Sequence, residues 1–357
     1  MAIDFDILST AMLLDAVKEM PPLQTFLKDR YFPTGAGDIF STNSVLVEYK
    51  DGSNTVAPFV VPRKGGVNVT RQGFEVKEFK PTNIAPRRML TLDDLEKRGF
   101  GEALYPGLTP RQRALAITTL DMQELSDMIT RREEWMCAEV MQNNALSMTY
   151  IADNADSGEE VTLQFYSEAE NPAKYTPAGN WSADSTTILG DLGAMAGLLA
   201  SRGLGASDLI VGTDVAEILI NNTRIKELFN ITNYSVGNVQ PEALPSGASR
   251  IMVLNFNGRL ISVYCYESEY TDYATGETKP YIDPKNVILT APGAGRTAYG
   301  AVTQMEYPGT EFILRTGTRI PKYDVDQKDN MRMVTITSKP LVMPKAKSPF
   351  IVAKVLA

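Results

Sequence analysis

Apolar residues recur at three- and four-residue steps from Thr109 to about Met148: Ile117, Leu120, Leu125, Met128, Ile129, Trp135, Met136, Val140 and Met141. That spacing predicts one long amphipathic helix. Thr109 suits its N-cap and Pro110 its first turn, and neither Pro nor Gly follows until Gly158. Arg132, Glu133 and Glu134 interrupt the stripe and read as a solvated face. A rod of ~40 residues at ~1.5 Å each runs about 60 Å, where an ordinary globular helix has ~11–12 residues. The stripe is too irregular for a coiled coil. The rod is therefore expected to lie along one side of an elongated, flat subunit.

On either side the pattern changes. Near the start, Ser9 or Thr10 can cap a short helix through Ala11, Leu13, Leu14, Val17 and Met20, stopped by Pro21-Pro22. This segment either packs on its own core or reaches a neighbouring subunit. The runs 44–49 and 74–79 alternate like strands around a loop holding Pro62-Arg63-Lys64-Gly65-Gly66, which suits a two-stranded ribbon. Such a ribbon is marginal alone and needs something to lie on.

Beyond the rod, 149–152 and 161–166 bracket an Asp/Asn/Gly turn and predict a β-hairpin. Helices are expected over 185–199 and 214–219, and strands over 208–211 and 286–290. Asn257-Gly258 joins two strand-like runs, 251–256 and 259–266, and is a strong hairpin signal. The alternation over about 185–300 describes an α/β module. Two extended runs near the end, 333–337 and 340–343, are expected to return and pair with the 149–166 hairpin.

Composition narrows the chemistry. The 357 residues hold 35 basic and 43 acidic side chains, two cysteines and no histidine. Without histidine the commonest general base and zinc ligand is missing, and Cys137 and Cys265 alone cannot build a thiolate metal site. A net charge of −8 argues against electrostatic capture of nucleic acid as the main activity. Acids where a signal peptide needs bases, and no apolar run of ~20 residues, lead to the expectation of a soluble cytosolic chain with reduced cysteines.

The most enzyme-like string is Gly293-Ala294-Gly295-Arg296-Thr297-Ala298-Tyr299-Gly300. Its third glycine falls two places late for a dinucleotide fingerprint, and a strand rather than a helix follows, so a plain loop is the better reading. Asp324, Asp326 and Asp329 lack the Gly and Glu of a calcium loop. Cys137 lies in the helical stripe and reads as a core residue. Trp135 and Trp181 lack the surrounding basic residues and aromatics of a nucleic-acid platform. No cofactor or metal is expected.

The order of elements resembles the major capsid proteins of tailed bacteriophages, above all the lambda-type family called major capsid protein E. The likeness rests on Arg63-Lys64-Gly65-Gly66 at the ribbon tip and Lys80-Pro81-Thr82-Asn83-Ile84-Ala85-Pro86-Arg87-Arg88-Met89-Leu90 leading out of it. It continues through the helix over 111–148, Asn286-Val287-Ile288-Leu289, and the ending from Ser338-Lys339-Pro340 to Leu356-Ala357. The resemblance implies an α+β Hong Kong 97 phage-type fold. Its parts would be an N-terminal arm (1–30), an E-loop ribbon with flanks (31–90), a peripheral P domain with spine helix (91–184), an axial A domain (185–318) and a C-terminal return (319–357). It further implies a non-catalytic protein that self-assembles as pentamers and hexamers into an icosahedral shell around DNA. Scaffolding protein, portal and head-decoration protein would be its partners, with no membrane involved. Arg63, Lys64, Gly65, Gly66, Arg87 and Arg88 are the candidate assembly contacts. A bacterial encapsulin-type compartment shell is the alternative on the same fold, and a nucleotide-binding enzyme using 293–300 the alternative of another class.

Overall fold

The computed structural model describes residues 23, 25–42, 44–49, 75–96, 109–149, 160–165, 174–182, 188–223, 225–226, 237–238, 242–244, 246–256, 258–306, 311–326 and 331–356. The expected helix over 9–20, the ribbon tip with Arg63, Lys64, Gly65 and Gly66, and Asp329 lie outside these residues.

A six-residue helix, α1 (Phe26–Tyr31), buries Phe26, Leu27 and Tyr31. Strands β1 (Val45–Tyr49) and β2 (Glu75–Phe79) pair antiparallel, as the ribbon pattern predicts. Val45 and Phe79 at the ribbon root are buried, the Phe79 ring 5.4 Å from that of Phe165. Strand β3 (Arg87–Leu90) and the short helix α2 (Leu92–Glu96) then lead to the rod, α3 (Pro110–Asn143).

The rod is 34 residues long, about 51 Å at ~1.5 Å per residue. It starts where the sequence predicts. Thr109 and Gln112 form a reciprocal capping box: the Gln112 N–H donates to Thr109 Oγ1 at 3.3 Å, and the Thr109 N–H donates to Gln112 Oε1 at 3.0 Å. Its end comes earlier than expected. Asn144 takes a left-handed φ of 51°, and its N–H donates to Val140 O at 2.9 Å. Asn tolerates this conformation better than most residues. The chain leaves directly into β4 (Ala145–Thr149), which pairs antiparallel with β5 (Glu160–Gln164). A hairpin is therefore present, but its first strand comes four residues earlier than expected, inside the stretch expected to be helical, while 150–152 lie outside the described residues.

Next come β6 (Lys174–Tyr175), α4 (Ile188–Ser201), β7 (Asp208–Val211), α5 (Thr213–Asn221), β8 (Gly237–Asn238), β9 (Glu242–Ala243), β10 (Ala248–Phe256), β11 (Arg259–Tyr266), β12 (Glu269–Thr271), β13 (Thr278–Pro280) and β14 (Asn286–Thr290). The chain ends through β15 (Gly295–Tyr299), β16 (Val302–Met305), β17 (Phe312–Arg315), β18 (Ile320–Asp326), β19 (Met331–Thr337), β20 (Pro340–Pro344) and β21 (Ile351–Lys354).

The main sheet runs β6-β21-β14-β7-β11-β10-β8, with β9 also on β10. Its central strands read as continuous apolar runs because both faces are covered. Period-two alternation sorts their side chains. Leu209, Val211, Val263, Val287, Leu289, Ile351 and Ala353 pack with Leu192, Met195 and Leu199 of α4 and with Val215 and Leu219 of α5. Ile210, Tyr264, Ile288 and Val352 face the other way, against Phe26 and Leu27 of α1 and Met136, Val140 and Met141 of α3. The N-terminal half of α3 leaves this core. Met122, Leu125 and Ile129 pack on Tyr323, Val334 and Ile336 of the sheet β18-β19-β3.

The last strands do not return to the β4–β5 hairpin. β19 pairs with β18 and β3, and β20 pairs with β15. Extended runs announce strands in a sequence, but partners are chosen by long-range packing that local pattern does not encode.

Candidate functional site

Among the described residues, a dense constellation of ionisable groups sits where α1 crosses α3, and it overturns one expectation. Glu133 and Glu134, expected on a solvated face, are both 0% exposed. Lys28 Nζ donates to Glu133 Oε2 at 2.5 Å, and Arg319 bridges both Glu133 oxygens at 2.6 and 2.8 Å. The Tyr299 hydroxyl donates to Glu133 Oε1 at 3.1 Å, and Arg319 Nη2 also donates to Thr130 Oγ1 at 3.0 Å. Glu134 turns to the start of α1. The N–H groups of Leu27 and Lys28 donate to its two oxygens at 2.8 and 2.9 Å, and the Tyr266 hydroxyl donates at 2.7 Å.

Neighbouring carboxylates thus have opposite leanings. Burial pushes the Glu133 carboxyl up, but Arg319 and Lys28 together outweigh it and hold the group below its ordinary range. Burial dominates at Glu134, which has hydrogen bonds but no cation, and its carboxyl is raised. Burial and the Glu134 charge push the Tyr266 hydroxyl up as well. Perturbed acids often mark active sites. These ones are consumed by internal partners. The open 390 Å³ cavity beside α3, lined by Trp135, Glu139, Tyr270, Lys279 and Tyr281, includes neither.

The cluster instead anchors α1. Arg30 Nε donates to Asp208 Oδ2 of β7 at 2.5 Å, the Tyr31 hydroxyl donates to the same oxygen at 3.0 Å, and the Arg30 guanidinium lies 4.8 Å from the Tyr264 ring centroid. One short helix is tied to the rod on one side and to the main sheet on the other.

The glycine string is equally occupied. It runs into strand β15, which pairs with β20, and no helix follows. The Gly293 N–H donates to Arg30 O at 2.9 Å, and Ala294 O accepts from the Lys345 N–H at 3.0 Å. A side chain at Gly295 would run into the Phe32 ring. The glycine makes room for Phe32, the residue after α1. Cys137 is buried as expected, its thiol pushed well up by burial; Cys265 is pushed up to about 12 by burial and then by Glu267. Neither has the lowered pKa of a reactive thiol. Among the described residues, no group of His, Cys, Asp and Glu is arranged to hold a metal ion, and no helix is long and apolar enough to cross a membrane.

Of the candidate assembly contacts, Arg87 and Arg88 are placed on β3, opposite Thr335 and Val334 of β19. Arg88 donates to Asp121 at 2.7 Å and also pairs with Glu124, which fastens β3 to α3 within the chain. The structure does not bring Arg87 or Arg88 into the Glu133–Glu134 cluster. That cluster was missed because a charged triplet in a helix reads as solvent-facing, and Lys28 and Arg319 lie 105 and 186 residues from Glu133.

A model of the phage major capsid protein E family matches residues 9–355. No curated protein matches the chain. Among solved structures, the putative capsid protein of an Escherichia coli CFT073 prophage is similar at 18% identity, with a TM-score of 0.62 over 98% of this chain and 99% of that one. A phage-related protein from Bordetella bronchiseptica RB50 gives 9% identity and a TM-score of 0.50 over 97% of each chain. Identities this low speak for the fold, an α+β phage-capsid architecture. The SrpI encapsulin of Synechococcus elongatus PCC 7942 reaches a TM-score of only 0.39 at 10% identity, over 80% of this chain and 78% of its own, and carries no argument for a compartment shell.

Proposed function

The chain belongs to the phage major capsid protein E family, and from that membership we propose that its copies assemble as pentamers and hexamers into an icosahedral shell enclosing phage DNA. The family match across residues 9–355 carries this reading. The role is structural rather than catalytic, which agrees with buried acids and a glycine string whose hydrogen bonds are spent inside the chain. Assembly takes place in the host cytoplasm and the product is the virion capsid.

We read residues 31–90 as the E-loop with its flanks, the rod as the spine of a peripheral domain, and 185–318 as the axial domain. Arg63, Lys64, Gly65, Gly66 and Arg87 then serve contacts between copies, while Arg88 sets the seat of β3. An acidic chain, at net charge −8, suits a container that must not grip its polyanionic cargo. Scaffolding protein, portal and a head-decoration protein are the expected partners.

The test is direct. Purified protein, alone and with its scaffolding partner, is imaged by negative stain and sized by sedimentation. Closed particles of uniform diameter are the expected result. A monomer at every concentration, with the partner present, would overturn the reading.

A further inference from the structure

The hairpin β16–β17 is built inside out. Its register pairs Val302 with Arg315, Thr303 with Leu314, Gln304 with Ile313 and Met305 with Phe312. Paired and alternate positions share a face. Val302, Gln304 and Glu306 lie on the face turned to the body and are buried, and their cross-strand neighbours Ile313 and Arg315 share that face at its edge, Ile313 being 37% exposed. Thr303, Met305, Phe312 and Leu314 lie on the other face, and all four are exposed, Phe312 at 74%, Leu314 at 53% and Met305 at 44%. A ribbon on a protein surface ordinarily buries its apolar face and wets its polar one.

The inverted register is held in place. Arg315 donates to both oxygens of Glu306 at 2.9 Å, and Gln304 Nε2 donates to Glu306 Oε1 at 3.1 Å and to Pro321 O of β18 at 3.3 Å. A one-residue slip of β17 against β16 would turn Phe312 and Leu314 inward and break the paired bonds of Arg315 to Glu306. The polar network therefore fixes a preformed apolar face toward the outside.

We propose that this face, Thr303-Met305-Phe312-Leu314, docks against a second copy of the chain in the assembled shell. The inference rests on the shell reading and assigns one of its contacts. The four side chains carry no charge; beside them Glu306 and Arg315 pair with each other, and the exposed Glu311 next to Phe312 adds a negative charge. That excludes the DNA polyanion as its occupant and fits the apolar core of a permanent interface between like subunits. A rigid presented face also loses little side-chain and loop freedom on docking.

Two variants of the full chain test it. Phe312→Ser with Leu314→Ser should leave the thermal midpoint of the subunit unchanged and raise the onset concentration for particles at least tenfold. A Leu314→Cys variant provides an independent readout, because Cys137 and Cys265 are buried. Its introduced thiol should react with a maleimide at least tenfold more slowly in particles than in free subunits. Normal assembly of the double serine variant, or equal labelling rates in particles and subunits, overturns the proposal. So does labelling that slows only when a decoration protein is added, which would give the face to that partner. If the unaltered chain forms no particles at all, the shell reading itself fails and takes this contact with it.

Discussion

Two regions of this molecule break the rule of apolar inside and polar outside, in opposite directions. At the crossing of α1 and α3, two carboxylates are buried and a lysine and an arginine half-buried, and each finds its partners within the chain. At the β16–β17 hairpin, apolar side chains are turned outward, and among the described residues nothing covers them. The first exception is closed, because folding alone satisfies it. The second is open, because it makes sense only when something else arrives. A subunit made for assembly needs both: elements fixed to one another before docking, and faces left unfinished until docking.

The comparison breaks most visibly at Glu133. Glu133→Leu leaves the half-buried Lys28 and Arg319 without their acid, and losing one partner of a fully buried pair costs about 3–5 kcal/mol, the upper bound here. The expected result is an insoluble chain, or one whose melting temperature falls by many degrees in calorimetry. Replacing the set together, Glu133→Leu with Lys28→Met and Arg319→Met, should recover most of that loss, since no charge is then left unpaired. A triple variant as unstable as the single one would mean that the cluster's geometry, rather than its charge balance, holds α1 on the rod.

Acid sharpens the same point by a smaller amount. The Glu133 carboxyl is held below its ordinary value of 4.5, so its contribution is present above that pH and is lost as pH falls through the lowered value. Glu306, held low by Arg315, has the same sign. Glu134 has the opposite sign: its raised carboxyl favours the folded state at low pH, and that contribution fades as pH rises through the raised value. Stability measured by denaturant titration should therefore drop below about pH 4.5 in the natural chain, and less steeply in the triple variant. Identical slopes would remove Glu133 from the account.

Much of the fold was legible because it is local. Thr109-Pro110 marks the start of the rod, Gly258 takes the left-handed φ of 76° that the predicted hairpin needs, and β7, β11 and β14 occupy the ranges their apolar runs predict. The end of the rod was not legible, because Ala145, Leu146 and Met148 favour helix and only pairing with β5 makes them strand. The partners of β19 and β20 were hidden for the same reason. The site was harder still. Glu133 and Glu134 are indistinguishable in sequence from an exposed acidic turn. Their burial follows from residues contributed by α1, β11, β15 and the segment before β18.

The smallest predicted change probes the open region alone. Thr303 lies on the outward face of β16, directly across from Leu314. Thr303→Val keeps the β-branched shape that suits a strand and exchanges a hydroxyl for a methyl. In the free subunit both groups meet water, so stability should stay within about 0.5 kcal/mol, as for ordinary surface changes. In the shell the methyl would be buried, and a gain of ~0.8 kcal/mol per contact corresponds to about a fourfold shift in each docking equilibrium. Light scattering against concentration should show particles forming at a several-fold lower onset, with the melting curve of the subunit unmoved. Onset at higher concentration would mean that Thr303 keeps its hydroxyl wet or hydrogen-bonded in the particle. The docked face would then be limited to Met305, Phe312 and Leu314.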